Sequence, residues 1–257
     1  MKDLFSIKGK VALVTGGSRG IGEMIAAGFL ASGAKVYISS RKAEVCDATA
    51  ERLTNEYGGE CISLPSDLSN LEGIDSLVSE LSNKESHLDV LINNAGKIFL
   101  SRQTSVDGIE MTFALNHLSY FLLTQLLINR LIFSSPSRIV NVSSTAHQNT
   151  TIDFHDIECR RRYLLGIKAY RMSKLCNILF TYELARRLKG TGVTANALHP
   201  GVVSTNLLSD NGLWGPVLTY LLKLRGISSN QGASTSVYLA TSPTVTEETG
   251  KYFYNCE

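Results

Sequence analysis

Residues 10–22 read KVALVTGGSRGIG and decide how this 257-residue chain folds. The run from Lys10 to Thr15 is apolar and rich in β-formers, as in a strand that is buried on both faces. A glycine turn follows, and apolar residues then recur at helical spacing until Ser32-Gly33. Strand, glycine turn and helix in this order open a dinucleotide-binding βαβ unit, although G-x-x-x-G-x-G departs from the commoner G-x-G-x-x-G spacing. Glycines let backbone N–H groups approach a pyrophosphate at the helix N-terminus, so the candidate cofactor contacts are Gly16, Ser18, Arg19, Gly20, Ile21 and Gly22.

The composition is that of one ordinary domain with a full core: 44% of the residues are hydrophobic, 19% are charged, and the net charge is +2. This balance gives no support for a nucleic-acid partner, because the one basic run, Arg160-Arg161-Arg162, is expected in a solvated loop or at a helix start. Five scattered cysteines without a C-x-x-C pair indicate reduced thiols in a cytoplasmic protein, with neither a disulfide framework nor a metal site. No signal peptide precedes the first strand, and no apolar run reaches the ~18 residues that a transmembrane segment needs.

Strand-like apolar runs alternate with helical patterns along the rest of the chain. The predicted strands are 10–15, 35–39, 60–64, 89–92, 139–142 and 193–198. The helices predicted after the first one are 42–57, 71–83, 106–115, 117–132, 168–188 and 230–240. This alternation predicts an α/β fold, a doubly wound parallel sheet with helices on both faces.

The end of the second strand bears on which dinucleotide binds. An acidic residue at this place accepts from the free 2′-hydroxyl of NAD, but here Ser40 and Arg41 follow the strand, with Arg19 in the glycine turn. Two guanidinium groups suit the 2′-phosphate of NADP(H), which they hold through charge-assisted hydrogen bonds. The alternative is that both arginines are merely exposed.

Two further strand ends add cofactor candidates. Asp67-Leu68 follows the third strand, where the carboxylate is placed to accept from an adenine amino group; the alternative is that Asp67 caps the next helix. The fourth strand runs into Asn94-Ala95-Gly96. Small residues at the tip of a central strand leave room for the cofactor ribose and steady the first βα turn.

The catalytic candidates are Tyr170 and Lys174, which lie one helical turn apart on the same face, about 6 Å along the axis. Taken alone, Y-x-x-x-K is usually a solvated surface pair. A free tyrosine has a pKa of about 10, so the site must favour the phenolate by roughly 4 kcal/mol, for which the Lys174 ammonium and an oxidised nicotinamide have the right sign. Ser144 is placed to hydrogen-bond the substrate oxygen, and Asn116 either holds a water that links Lys174 to solvent or serves only as a cap. This mechanism leaves no role for His147.

From Phe5 to Phe253 the chain resembles the short-chain dehydrogenase/reductase family. The marks are the turn 15–22, the run 93–96, Asn116, the Ser144/Tyr170/Lys174 set and Pro200-Gly201. The resemblance implies one seven-stranded Rossmann domain over residues 1–257 and metal-free hydride transfer between NAD(P) and a carbonyl or alcohol. It also favours Ser144, the second of two adjacent serines, as catalytic. The cofactor site that it implies is completed by Tyr170, Lys174, Pro200, Gly201, Val203 and Thr205.

The branch within the family is mixed. From about Gln103 onward the chain resembles the retinol dehydrogenase branch, whereas the front half is more similar to bacterial reductases of the ketoacyl type. Two alternatives to a reductase of lipophilic substrates therefore stay open: a ketoacyl-type reductase of polar or carrier-linked substrates, and a non-catalytic NADP-binding regulator. The intact Asn/Ser/Tyr/Lys set argues against a pure binder.

The segment 205–228 is unusually apolar and is interpreted as a lid over a lipophilic small-molecule substrate. The alternatives are a subunit interface, which would make a homo-oligomer, and a surface helix in peripheral contact with a membrane.

Overall fold

Seven strands form one parallel sheet. The computed structural model describes residues 5–203 and 227–257. The strands in these residues are β1 (Val11–Thr15), β2 (Lys35–Ser39), β3 (Cys61–Ser63), β4 (Val90–Asn93), β5 (Ser137–Val142), β6 (Val193–His199) and β7 (Tyr252–Tyr254). They pair in the order β3-β2-β1-β4-β5-β6-β7, and every pair is parallel. The predicted Rossmann sheet is confirmed.

Helices cover both faces of the sheet. One face carries α1 (Gly20–Ala31), α2 (Ala43–Tyr57) and α6 (Ser229–Thr241), and the other carries α3 (Leu71–Lys84), α4 (Met111–Phe133) and α5 (Ile167–Arg187). Alternate residues of β1 supply both cores, because successive side chains of a strand point to opposite faces. Val14 packs with Phe29 of α1 in one core, while Leu13 packs with Leu123 of α4 in the other. Since helices cover both faces of the sheet, a central strand such as β1 is buried along its whole length.

The helix predicted in two parts, 106–115 and 117–132, is one continuous helix, so that prediction was wrong. It begins at Met111 because the Glu110 carboxylate accepts from the backbone N–H groups of Thr112 and Phe113 and thereby caps it. A π-helical turn, Ala114–Leu118, carries the helix past Asn116 without a break.

The same helix, α4, is long and apolar enough to cross a membrane by length and composition, unlike the expectation that no run reaches this length. However, 56% of its most apolar window is buried, and Leu123 and Leu127 belong to the second core. The inward face of α4 is therefore a core surface, and core helices meet the same criterion.

The topology fixes where a ligand binds. The chain reverses its winding between the adjacent strands β1 and β4, and ligands of open α/β sheets bind in the crevice at the carboxyl ends of strands at such a switch point. The glycine turn, Ser40, Asn94, Ser144 and His199 follow or end five strands at this edge.

Candidate active site

The glycine turn after β1 is built by close backbone approaches. Gly16 has a φ of +67°, a conformation that favours glycine. A Cβ at Gly22 would overlap the Gly16 carbonyl oxygen and come within 2.7 Å of Asn94 Nδ2. Arg19, the N-cap of α1, makes no side-chain capping bond within the described residues, and the first-turn Glu23 pairs with Arg52. The N-terminal N–H groups of α1 thus suit an anion such as a pyrophosphate.

Asn94 fastens this turn to the tip of β4. Its side-chain Nδ2 donates to the Thr15 carbonyl at 2.8 Å, and its backbone N–H donates to Thr15 Oγ1 at 2.9 Å. The backbone N–H of Ala95 donates to the same hydroxyl at 3.1 Å. One side chain and one hydroxyl therefore hold two strand ends together, as proposed from the sequence.

A single cavity of about 790 Å³ runs along the carboxyl edge of the sheet. The residues of the glycine turn and of the end of β2 that line it are Gly16, Arg19, Gly20, Ile21, Gly22, Ser40 and Arg41. The lining residues from later parts of the chain are Leu68, Asn94, Ala95, Gly96, Ser144, Tyr170, Lys174, Pro200, Gly201 and Val203. Most of the residues predicted for the cofactor and for catalysis thus share one cavity.

Among the described residues, two of the predicted cofactor residues, Ser18 and Asp67, do not line it. Ser18 is buried, and its carbonyl accepts from Thr49 Oγ1 at 3.1 Å. Asp67 instead closes a local turn, because its Oδ1 accepts from the backbone N–H (3.0 Å) and the hydroxyl (2.8 Å) of Ser69. The alternative of Asp67 as a helix cap is wrong, since Asn70 caps α3. Thr205, like most of the predicted lid 205–228, lies outside the described residues.

The two adjacent serines after β5 are held differently. Ser143 is buried, and its hydroxyl donates to the Lys174 carbonyl at 2.7 Å. Burial raises the pKa of the Tyr170 phenol, and the Ser144 hydroxyl acts on that pKa in the opposite direction. Ser144 is therefore the serine whose side chain acts on Tyr170.

Lys174 is buried beside Tyr170. Its Nζ donates to the Val142 carbonyl at 3.0 Å and lies 5.7 Å from the ring centroids of both Tyr170 and Tyr120. Burial lowers the pKa of Lys174 to about 7. The net pKa of Tyr170 is raised, so the protein alone does not favour the phenolate as the sequence interpretation required. The physical reason is that the loss of hydration disfavours the charged form of both groups.

Asn116 sits inside the π-helical turn with a fully buried side chain. Its Oδ1 accepts from the backbone N–H of Lys97, and its Nδ2 donates to the Lys97 carbonyl, both at 2.9 Å. Its own carbonyl accepts from Asn177 Nδ2 at 2.8 Å. Both polar atoms of the Asn116 side chain are therefore hydrogen-bonded to the backbone directly after Gly96, and the side chain does not cap a helix.

The sequence interpretation missed part of the cavity wall. Lys97 is buried, and it lines the cavity together with Leu115, Gln148 and His199. Lys97 directly follows the Asn94–Gly96 run, so its position in the chain was a usable signal. Gln148 lies in a segment without periodicity, where no sequence pattern points to the cavity.

Comparison with known proteins agrees with this geometry. The model of the short-chain dehydrogenase family matches residues 10–214. This chain belongs to that family. Human retinol dehydrogenase 13 is 39% identical over 258 residues, which are 96% of this chain and 77% of the relative. Mouse retinol dehydrogenase 14 is 40% identical over 267 residues, 97% of this chain and 78% of the relative.

Solved structures of the same family have the same fold. The Pseudomonas aeruginosa RhlG/NADP active-site complex is 31% identical, with a TM-score of 0.78 over 98% of this chain and 97% of that chain. A mutant of a Serratia marcescens short-chain dehydrogenase/reductase is 28% identical, with a TM-score of 0.75 over 96% of each chain. The protein is therefore an oxidoreductase of the short-chain dehydrogenase/reductase family.

Proposed function

We propose that this protein is an NADP(H)-dependent oxidoreductase that transfers a hydride between the nicotinamide and the carbonyl or alcohol carbon of a lipophilic aldehyde, ketone or retinoid. One observation carries the proposal: a single cavity is lined by the glycine turn and Arg41 at one end and by Ser144, Tyr170 and Lys174 at the other. A dinucleotide needs both ends of the cavity, the first for its phosphates and the second for its nicotinamide. We further propose that residues 1–257 are one domain.

The residues present fit NADP(H). The positive φ at Gly16 and the close approach at Gly22 leave the turn bare of side chains, so a pyrophosphate can reach the N-terminus of α1. Arg19 and Arg41 are both exposed and line the cavity, where they supply positive charge for a 2′-phosphate. The NADP complex of RhlG, a relative at 31% identity, supports this assignment.

When bound, the cofactor supplies or accepts the hydride. In carbonyl reduction, the Tyr170 O–H donates its proton to the substrate oxygen. Burial raises the pKa of Tyr170 and so keeps this proton in place at neutral pH, which suits the reductive direction. Ser144 donates a hydrogen bond to the same oxygen and stabilises its developing negative charge.

Lys174 and Asn116 act behind the tyrosine. The pKa of about 7 lets Lys174 exchange a proton near neutral pH, so it can restore the proton that Tyr170 gives up. The side chain of Asn116 fixes the Lys97 backbone beside the site. Its main-chain carbonyl, which accepts from Asn177 Nδ2, would hold the water that links Lys174 to solvent.

The substrate class rests on two supports. The relatives at 39–40% identity are named retinol dehydrogenases. The segment 205–228, which follows the cavity-lining Val203, contains Leu213, Trp214 and further apolar side chains. An apolar lid binds an alkyl chain at about 0.8 kcal/mol for each buried CH₂.

The test is NADPH oxidation against a panel of retinal, straight-chain aldehydes, a ketosteroid and an acetoacetyl thioester. We expect turnover of the apolar members, with kcat/KM rising along the aldehyde series. The thioester as the best substrate would favour the ketoacyl-type alternative. Tight NADPH binding with no turnover of any member would favour the non-catalytic regulator. A flat aldehyde series, combined with a Trp214→Ala variant that alters oligomer mass or vesicle binding, would make 205–228 an interface and not a lid.

A further inference from the structure

The turn that carries Ser144 is held by a histidine side chain. After β5, Ser144 begins a single 3-10 turn, Thr145–His147. The main-chain carbonyl of Ser144 accepts from the backbone N–H of His147 at 3.1 Å and from its ring Nδ1 at 2.6 Å. Because a carbonyl oxygen only accepts, this contact assigns the ring proton to Nδ1.

The histidine ring is itself anchored by the edge of the sheet. It packs edge-on against Tyr252 of β7, with ring centroids 5.0 Å apart and an interplanar angle of 69°. His199, at the end of β6, brings its Nε2 to 3.5 Å from Thr145 Oγ1 in the same turn. The His199 ring stacks on Tyr254 of β7 at 5.2 Å. Residues of the last two strands of the sheet, β6 and β7, therefore hold this turn in place.

Without this ring, Ser144 is weakly held compared with its neighbour. Ser143 is tied to two elements, because its hydroxyl donates to the Lys174 carbonyl and its N–H donates to the Leu198 carbonyl, both at 2.7 Å. Besides its effect on Tyr170, the Ser144 hydroxyl accepts one 3.2 Å bond within the described residues, from the Ala146 N–H of its own turn. A single 3-10 turn has poor hydrogen-bond geometry and offers little rigidity.

We propose that His147 is a positioning residue: through the Ser144 carbonyl it fixes the rotation of the turn and hence the direction of the Ser144 hydroxyl. The proposal rests on the proposed function, in which that hydroxyl bonds the substrate oxygen. His147 does not act as an acid or base on the substrate. Its Nδ1 is committed to the carbonyl, and the described residues of this turn that line the cavity are Ser144, Thr145 and Ala146.

Two variants with amide side chains distinguish the contribution of Nδ1 of the His147 ring from that of Nε2. In His147→Asn the side-chain nitrogen falls near the position of Nδ1 and can still donate to the Ser144 carbonyl, whereas in His147→Gln it falls near Nε2 and cannot. A displacement of about 1 Å at a reacting centre can cost about 100-fold in rate. We expect His147→Gln to lower kcat by about 10- to 100-fold, with KM and the NADPH dissociation constant essentially unchanged, and His147→Asn to restore most of the loss.

His147→Ala is the second variant without a donor and should resemble His147→Gln, so the comparison with Asn survives if either variant unfolds. Thermal unfolding of each variant checks the fold. Equal rates for Asn and Gln, or a Gln variant as active as the unaltered protein, would overturn the proposal. NMR of the His147 ring nitrogens in the unaltered protein tests it without turnover: we expect a proton on Nδ1, and a neutral ring protonated on Nε2 alone overturns it. If no member of the substrate panel were turned over, the proposed function would be overturned, but the NMR measurement of the His147 ring would still be a valid test of its contact with the Ser144 carbonyl.

Discussion

The two ends of the cavity are built by different means. At the cofactor end, the close contacts are made by backbone: Gly16 and Gly22 approach each other where no side chain fits. At the catalytic end, buried side chains make the contacts, as Lys174 and Asn116 do with main-chain carbonyls. The cofactor end should therefore be disrupted when a side-chain atom is added to one of its glycines. The catalytic end should be disrupted when a hydrogen-bond donor is removed. The predictions below use this difference.

The largest effect is expected at the catalytic end. Tyr170→Phe removes the proton donor and keeps the ring, and general acid catalysis is typically worth about 10²–10⁴-fold. We expect kcat to fall by that factor while the NADPH dissociation constant, measured by fluorescence titration, stays close to normal. A variant that retains more than about a tenth of the rate would remove Tyr170 from the role of proton donor.

At the cofactor end, adding one methyl group should suffice. Gly22→Ala forces a Cβ against the Gly16 carbonyl and Asn94, and overpacking of this kind typically costs about 1–3 kcal/mol or more. We expect a lower unfolding temperature and weakened NADPH binding. Gly28→Ala in the same helix is the matched control, because its Cβ would press on a Val237 methyl group at 2.9 Å outside the cavity, so we expect a loss of stability without a loss of NADPH binding. If both variants bind NADPH equally well, the backbone cradle is not what holds the cofactor.

Charge at the cofactor end should set the choice between the two dinucleotides. Arg41→Asp replaces attraction by repulsion at the 2′-phosphate, and a hydrogen bond to a charged group is worth about 1.5–3 kcal/mol. We expect the ratio of NADH to NADPH dissociation constants to fall by about tenfold or more. Lys42→Asp changes the net charge equally at the next, exposed position and should leave the ratio unaltered. Equal dissociation constants in the unaltered protein would contradict the assignment of NADP(H).

Burial of Lys174 should appear as a pH dependence of stability. Its pKa of about 7 lies below the ordinary lysine value of 10.5, so between these two pH values the unfolded chain binds more protons than the folded one. Stability from this group therefore rises with pH in that window. Lys174→Met should be the more stable protein at pH 7, by about 1 kcal/mol or more, and this advantage should shrink towards pH 10. Denaturant titrations at three pH values measure it, with the exposed Lys189→Met as control; a pH-independent difference would mean that Lys174 is not desolvated.

Most of the fold was predictable because the strand signals are strong. Runs such as Val11–Thr15 are apolar on both faces, and that pattern alone placed six of the strands. The seventh, Tyr252–Tyr254, has only three residues and followed from the family resemblance. The helix around Asn116 was split in error because a π-helical turn has no periodicity of its own.

The site was predictable where a motif names a residue and less so where tertiary contacts decide. Tyr170, Lys174 and the glycine turn share the cavity as expected. Asp67 does not line it, because the local bonds to Ser69 compete for the carboxylate. The proposed role of His147 could not be predicted from the spacing of residues in the sequence. It depends on the packing of its ring against β7, a strand that lies more than a hundred residues later in the chain.

The most direct test of the central claim follows the hydride itself. The protein is incubated with the aldehyde that it turns over fastest and with NADPH carrying deuterium at both C4 positions of the nicotinamide, and the alcohol is analysed by mass spectrometry. The account predicts one deuterium on the carbinol carbon and loss of that product in Tyr170→Phe. An alcohol without deuterium, or one formed equally well by the Tyr170→Phe variant, would contradict it.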